Sequence, residues 1–259
     1  MKANSRRRLK KHMTRKYEFA KFVALARRSR WAALSLALWF LSLGLSANAQ
    51  EGTFVTFDAP GAGMGPFEGT LPFAIDPAGV ITGAYFDANF VPHGFLRFAN
   101  GTVTPFDVPG AVSTYPSGGI SLSGAITGTY GGPNGSGGFV RAPNGSFTTF
   151  DFGFPDLFVA SPLSISPAGT IAGTYIDATD FALHGFLRNP DGTTTTFEAP
   201  GAGTSFLQGT QPVSISPGGT VAGCYVDAHS VGHGFVRAKD GTLTMFDVPN
   251  STNLLLLHV

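Results

Sequence analysis

The chain has 259 residues, with 17 basic and 16 acidic side chains and a formal net charge of +1, but this balance describes no folded object. Twelve of the basic residues fall between Lys2 and Arg30 beside a single acid, Glu18, so everything after them sets five basic side chains (Arg97, Arg141, Arg188, Arg237, Lys239) against fifteen acids, a net charge of about −10. An acidic body lacks the basic stripe that displaces counterions from a phosphate backbone, which argues against a nucleic-acid partner, and Cys224, the one cysteine, rules out an intramolecular disulfide.

In chain order, the basic start is followed by the apolar stretch Trp31–Leu45 and then by Ala47, Asn48 and Ala49. Basic start, apolar middle and small-residue exit form a secretory signal, with cleavage expected after Ala49. An uncleaved anchor is the alternative, since a spanning helix needs about 20 apolar residues and this segment reaches that length only with Ser46–Ala49 included. The small-residue exit favours cleavage. Arg6, Arg7 and Arg8 form an incomplete twin-arginine pattern far from the apolar segment. The expected division is therefore a signal peptide over 1–49, a repeat domain over 50–250 and an irregular tail over 251–259. The product is expected to be secreted or held in the periplasm or cell envelope, with no membrane contact after cleavage.

The 35 glycines and 18 prolines prompt a search for a repeat, because a period of tens of residues changes the whole fold reading. Gly79–Tyr85 recurs as Gly124–Tyr130, Gly169–Tyr175 and Gly219–Tyr225. His93–Arg97 recurs as Gly137–Arg141, His184–Arg188 and His233–Arg237. A Phe followed by an acid occurs at Phe57, Phe106, Phe150, Phe197 and Phe246, so this string comes once extra at the front. Unit one reads as four strands, near Pro72–Asp76, Val80–Phe86, Gly94–Ala99 and Thr102–Asp107. A spare strand is expected at Thr53–Asp58.

The turns are chemically explicit. Pro77, Ala78 and Gly79 join the first pair, and Asn100-Gly101 joins the last, repeated as Asn144-Gly145, Asp191-Gly192 and Asp240-Gly241. Such dipeptides predict a two-residue type I′ hairpin. Counting outward from it, Phe95 faces Phe106, Phe139 faces Phe150, Phe186 faces Phe197 and Phe235 faces Phe246, while each arginine faces a threonine such as Thr104. Leu96, Val140, Leu187 and Val236 make the other face apolar, so both faces need cover. Gly83, Gly128, Gly173 and Gly223 predict a close approach in the second strand. The expected fold is all-β: a small β-propeller of four four-stranded blades of about 47 residues, or five with the last incomplete.

These strings resemble the HAF-type extracellular repeat proteins, whose units carry a His-Ala-Phe core after a Gly-x-Tyr strand. Here the core is His-Gly-Phe, and unit two departs with Gly137 in place of His. The resemblance spans about Thr53 to Pro249 and implies export and a repeat fold, with no settled activity.

The candidate ligand residues are an acid and a histidine at the ends of one loop in three units: Asp87 with His93, Asp177 with His184, Asp227 with His233. They read as hydrogen bonds pinning each loop, because recurrence in equivalent slots serves the repeat. The alternative is a metal site in unit four, where Asp227, His229 and His233 supply three zinc-type donors. An arginine near the acid of an adjacent blade would hold a ring closed. Glu51, Glu68, Asp156 and Asp180 stand outside the repeat slots. There is no Gly-x-Ser-x-Gly elbow, His-Glu-x-x-His helix, phosphate loop or calcium loop. No cofactor is expected, and the favoured reading is a monomeric, non-enzymatic binding or scaffold module for a carbohydrate or a cell-envelope protein. A propeller-type glycan hydrolase or lyase is the alternative.

Overall fold

A computed structural model describes residues 54–133, 135–154 and 157–247. The expected signal peptide, Glu51, Asp156 and the tail lie outside these. Every strand named below belongs to the unit Thr56–Val259.

Sixteen strands and no helix make up the described residues. Unit one holds β1 (Gly69–Ile75), β2 (Ile81–Phe86), β3 (Pro92–Arg97) and β4 (Val103–Phe106). Unit two holds β5 (Ser113–Tyr115), β6 (Ile126–Gly132), β7 (Gly135–Arg141) and β8 (Phe147–Phe150). Unit three holds β9 (Leu157–Ile165), β10 (Ile171–Asp177), β11 (Leu183–Arg188) and β12 (Thr194–Phe197). Unit four holds β13 (Gly209–Ile215), β14 (Val221–Val226), β15 (Gly232–Arg237) and β16 (Leu243–Phe246). Each unit is an antiparallel meander, and units three and four are joined by one parallel pairing, Leu183 to Gly209. Residues 54–58 form no strand, so the spare front strand is corrected to an irregular segment.

The first turn forms as its residues dictate. Asp76 accepts hydrogen bonds on Oδ1 from the Ala78 and Val80 amides, both at 2.9 Å, and Gly79 takes φ 79°.

The last turn differs from expectation by one residue. The Phe98 amide donates to the Thr102 carbonyl at 2.9 Å, leaving a three-residue loop in which Gly101 has φ 89°. Asn100 is not among the residues of positive φ; its Oδ1 instead accepts the Thr102 amide at 3.0 Å. A type I′ turn needs positive φ at both central residues, whereas a type I turn followed by one left-handed glycine needs it once. The side-chain bond of Asn100 favours the second.

This shift moves every pair. Phe95 faces Pro105 and not Phe106; Phe106 faces Gly94, Phe150 faces Gly138, Phe197 faces Gly185 and Phe246 faces Gly234. Likewise Arg97 faces Val103, and Thr104 faces Leu96. The glycine of the His-Gly-Phe core now has a reason: at Gly94, Gly138 and Gly234 the opposing phenyl ring lies where a β-carbon would be. The displaced rings Phe95, Phe139, Phe186 and Phe235 are each wholly buried.

The arginines seek rings and not acids. Arg141 stacks over Phe106 at 5.1 Å, Arg188 over Phe150 at 4.0 Å and Arg237 over Phe197 at 4.9 Å, each reaching the unit before its own. Arg97 does the same with Phe57 at 4.9 Å. A guanidinium on an aromatic face gains about 0.5–2 kcal/mol without needing a carboxylate. The expected Arg–Asp pairing between blades is absent among the described residues.

Candidate functional site

The corrected register places each histidine. With Gly94 opposite Phe106, the preceding residue His93 meets the following residue Asp107, its Nδ1 3.0 Å from both carboxylate oxygens. His184 Nδ1 lies 2.8 Å from Glu198 Oε1, and His233 Nδ1 lies 2.7 Å from Asp247 Oδ1. Each imidazole stacks on the tyrosine of the second strand: Tyr85 at 5.1 Å, Tyr175 at 4.9 Å and Tyr225 at 4.7 Å.

A second acid approaches the other ring nitrogen. Asp87 Oδ2 is 3.9 Å from His93 Nε2, and Asp227 Oδ2 is 3.5 Å from His233 Nε2, so these two expected pairs do come together. In unit three the near carboxylate is Asp180, 3.5 Å from His184 Nε2, and not Asp177. The loop there is one residue longer, and Asp177 turns to the Thr179 amide at 2.7 Å and the Thr179 hydroxyl at 2.6 Å.

Asp87 and Asp227 also hold their loops. Asp87 Oδ1 accepts the Asn89 and Val91 amides at 2.8 and 2.9 Å, and Asp227 Oδ1 accepts the His229 and Val231 amides, both at 2.8 Å. These bonds, that from Val91 or Val231 foremost, keep both carboxyls below the usual carboxylate range. His229 Nδ1 and His233 Nε2 each lie 3.5 Å from Asp227 Oδ2. His229 is 86% exposed, and no three such side chains among the described residues are grouped to hold a metal. In unit two Gly137 leaves Asp151 without a histidine, and its Oδ1 accepts the Gly153 amide at 3.1 Å.

Asp107, Glu198 and Asp247 were read from the sequence as repeat-slot acids for the arginines, and neither their pairing with the histidines nor the stacking of the tyrosines on them was expected. Their signal was present: the same interval of 14 residues separates histidine and acid in all three units.

The bond to Asp247, with help from Asp227, raises the His233 pKa above the usual imidazole value. A raised pKa in the folded state stabilises fully below the unfolded value of about 6.5 and is lost as pH climbs through the folded value. The thermal midpoint of the protein should therefore exceed that of His233→Gln most below the unfolded value, at about pH 5–6, with the gap closing as pH rises through the raised folded value. A gap constant across that range would remove the charged pair as its cause.

The same edge of the units carries unusual apolar groups. The connections into strand one and the loops between strands two and three meet there: Gly63 donates to the Phe86 carbonyl at 2.8 Å, and Leu207 to that of Phe181 at 3.0 Å. Phe67 is 92% exposed with φ 64°, Phe90 is 55% exposed with φ 60°, and Phe181 has φ 58° with its ring 6.5 Å from that of Phe206. A bulky residue held left-handed costs about 1–3 kcal/mol, and an exposed ring regains none of it by burial.

No family model matches the chain, and no curated protein matches it. Among solved structures it is similar to a streptogramin B lyase, at 16% identity and a TM-score of 0.49 over 78% of this chain and 60% of that one. It is also similar to a catalytically inactive virginiamycin B lyase from Staphylococcus aureus with quinupristin, at 14% identity and a TM-score of 0.37 over 70% of this chain and 71% of that one. The chain thus spans 60% of the length of the first of these.

Proposed function

We propose that the chain is an exported, non-enzymatic binding module of β-propeller type, with four blades or a fifth incomplete one, that takes a polysaccharide at the loop edge. The observation that carries this reading is the set Phe67, Phe90, Phe181 and Phe206, apolar rings kept at the surface on backbones that three of them hold at positive φ. Flat sugar faces stack on such rings, and the carboxylates of the histidine slots lie on the same edge to accept sugar hydroxyls. The engagement of the acids outside the repeat slots agrees with it: Glu68 accepts the Gly65 amide at 2.6 Å, and Asp180 accepts the Ala182 amide at 2.9 Å beside His184.

A glycan array run beside turnover assays on plant and bacterial polysaccharides tests the reading. Binding without turnover is expected, weakened about tenfold by Phe67→Ala or Phe206→Ala, a loss of about 1.4 kcal/mol. Binding of an envelope protein and no glycan would replace the ligand class. A second reading, a glycan lyase or hydrolase, is favoured by His233, a base strengthened by two carboxylates; turnover abolished by His233→Ala would establish it.

A further inference from the structure

Neighbouring units meet in one repeated way. The outgoing face of a unit offers the apolar residue of its third strand and the Phe that ends its fourth strand. The incoming face of the next receives them with the first residue of its second strand, the buried Phe of its third strand and the arginine. Leu96, Phe106 and Val108 meet Ile126 and Phe139 in this way, and Leu187, Phe197 and Ala199 meet Val221 and Phe235. Ile126, Ile171 and Val221 are wholly buried as a result, and Ile165 and Ile215 beside them are 4% and 7% exposed.

Among the described residues, each end of the series carries an unmatched half of this contact. In unit one, Ile75 is 65% exposed in the slot of Ile165 and Ile215, and with Pro72, Phe73, Ala74 and Ile81 it lines an open groove. Phe57 and Ala59 fill part of the missing face. Phe57 lies under Arg97, and the Ala59 amide donates to Thr70 Oγ1 at 2.8 Å, as Val108 does to Thr114 and Ala199 to Thr210. Among the described residues, nothing stands in the slot of Leu96. In unit four, Phe246 is 51% exposed where Phe150 is 9%, and Val236 is 36% exposed where Leu96 is 6%.

We infer that these two halves bind each other between copies of the chain, the unit-four face of one protomer seating on the unit-one groove of its partner with Val236 against Ile81 and Ile75. The contact continues the interface already present three times within the chain, so its shape and chemistry are those of a known fit. Phe246 and Phe57 belong to the same slot over Arg97, so Phe246 of one protomer displaces Phe57 of the other. The displaced segment lies in no strand. Such a contact joins unlike faces and is heterologous, extending until it closes on itself. This revises the expectation of a monomer.

Sedimentation velocity on the protein purified from expression of the full chain, over a dilution series, tests the inference. The expected mass is at least twice that of one chain at high concentration, falling on dilution. Val236→Asp and Ile75→Asp should each yield monomers; both side chains are exposed in the single chain, and unchanged far-ultraviolet circular dichroism would confirm folding. Phe246→Ala should weaken association about tenfold, and Phe57→Ala should strengthen it, opposite signs that only competition for one slot produces. A monomer at every concentration, association untouched by Val236→Asp and Ile75→Asp, or equal weakening by Phe57→Ala and Phe246→Ala would overturn it.

Discussion

Phe139→Ala is expected to lower the free energy of unfolding by about 3–5 kcal/mol, the range for truncating a buried aromatic ring. Phe139 is wholly buried and packs with Leu96, Val108 and Ile126, its ring 6.5 Å from that of Phe106 and 5.9 Å from that of Phe147. The loss combines the transfer of the ring with the cavity left behind, and the cavity cannot close readily. β7 is held by β6 on one side and β8 on the other, so its backbone cannot move in to fill the space. Urea unfolding measures the effect as a drop in midpoint at constant slope. Phe246→Ala, at a ring half exposed on the end unit, should cost about 1 kcal/mol or less by comparison. Similar losses for the two would contradict the burial difference between inner and end units.

Gly128→Ala should cost about 3 kcal/mol, the upper part of the range for overpacking. A β-carbon there would lie 2.6 Å from Pro116 Cα and 2.9 Å from the Tyr115 carbonyl carbon, with the Tyr115 oxygen nearer still. All three are backbone atoms, so no rotamer change relieves the contact and β5 must part from β6. Gly131→Ala in the same strand is the control. Its nearest neighbour is Ser113 Oγ at 2.9 Å, the tip of a side chain that can turn away, and the expected change is below about 0.5 kcal/mol. Thermal unfolding of the two variants side by side checks the contrast; equal midpoints would mean that the strands are not held so closely.

Much of the fold was legible because repeats speak several times. The four-strand unit, both turn positions, the close approach at Gly83, Gly128, Gly173 and Gly223, and the loop acids Asp87 and Asp227 beside His93 and His233 all follow from residue types at fixed intervals. The candidate site was less legible for one local reason. Asn100-Gly101 is compatible with two loops that differ by one residue, and the difference carries through the whole hairpin. With the shorter loop His93 has no acid opposite it; with the longer one it meets Asp107, and Gly94 makes room for Phe106. The extra residue between Asp177 and His184 likewise handed the second carboxylate to Asp180, a displacement that requires the loop path.

The amino-acid sequence by itself determined the strand count per unit and the places of the turns, since these rest on local chemistry repeated four times. The tertiary structure alone decided what the charged groups do. Asp107, Glu198 and Asp247 serve the histidines, while the arginines serve the rings of the unit before. Such pairings depend on register and on the packing of one sheet against the next, and neither is written in any single stretch of chain.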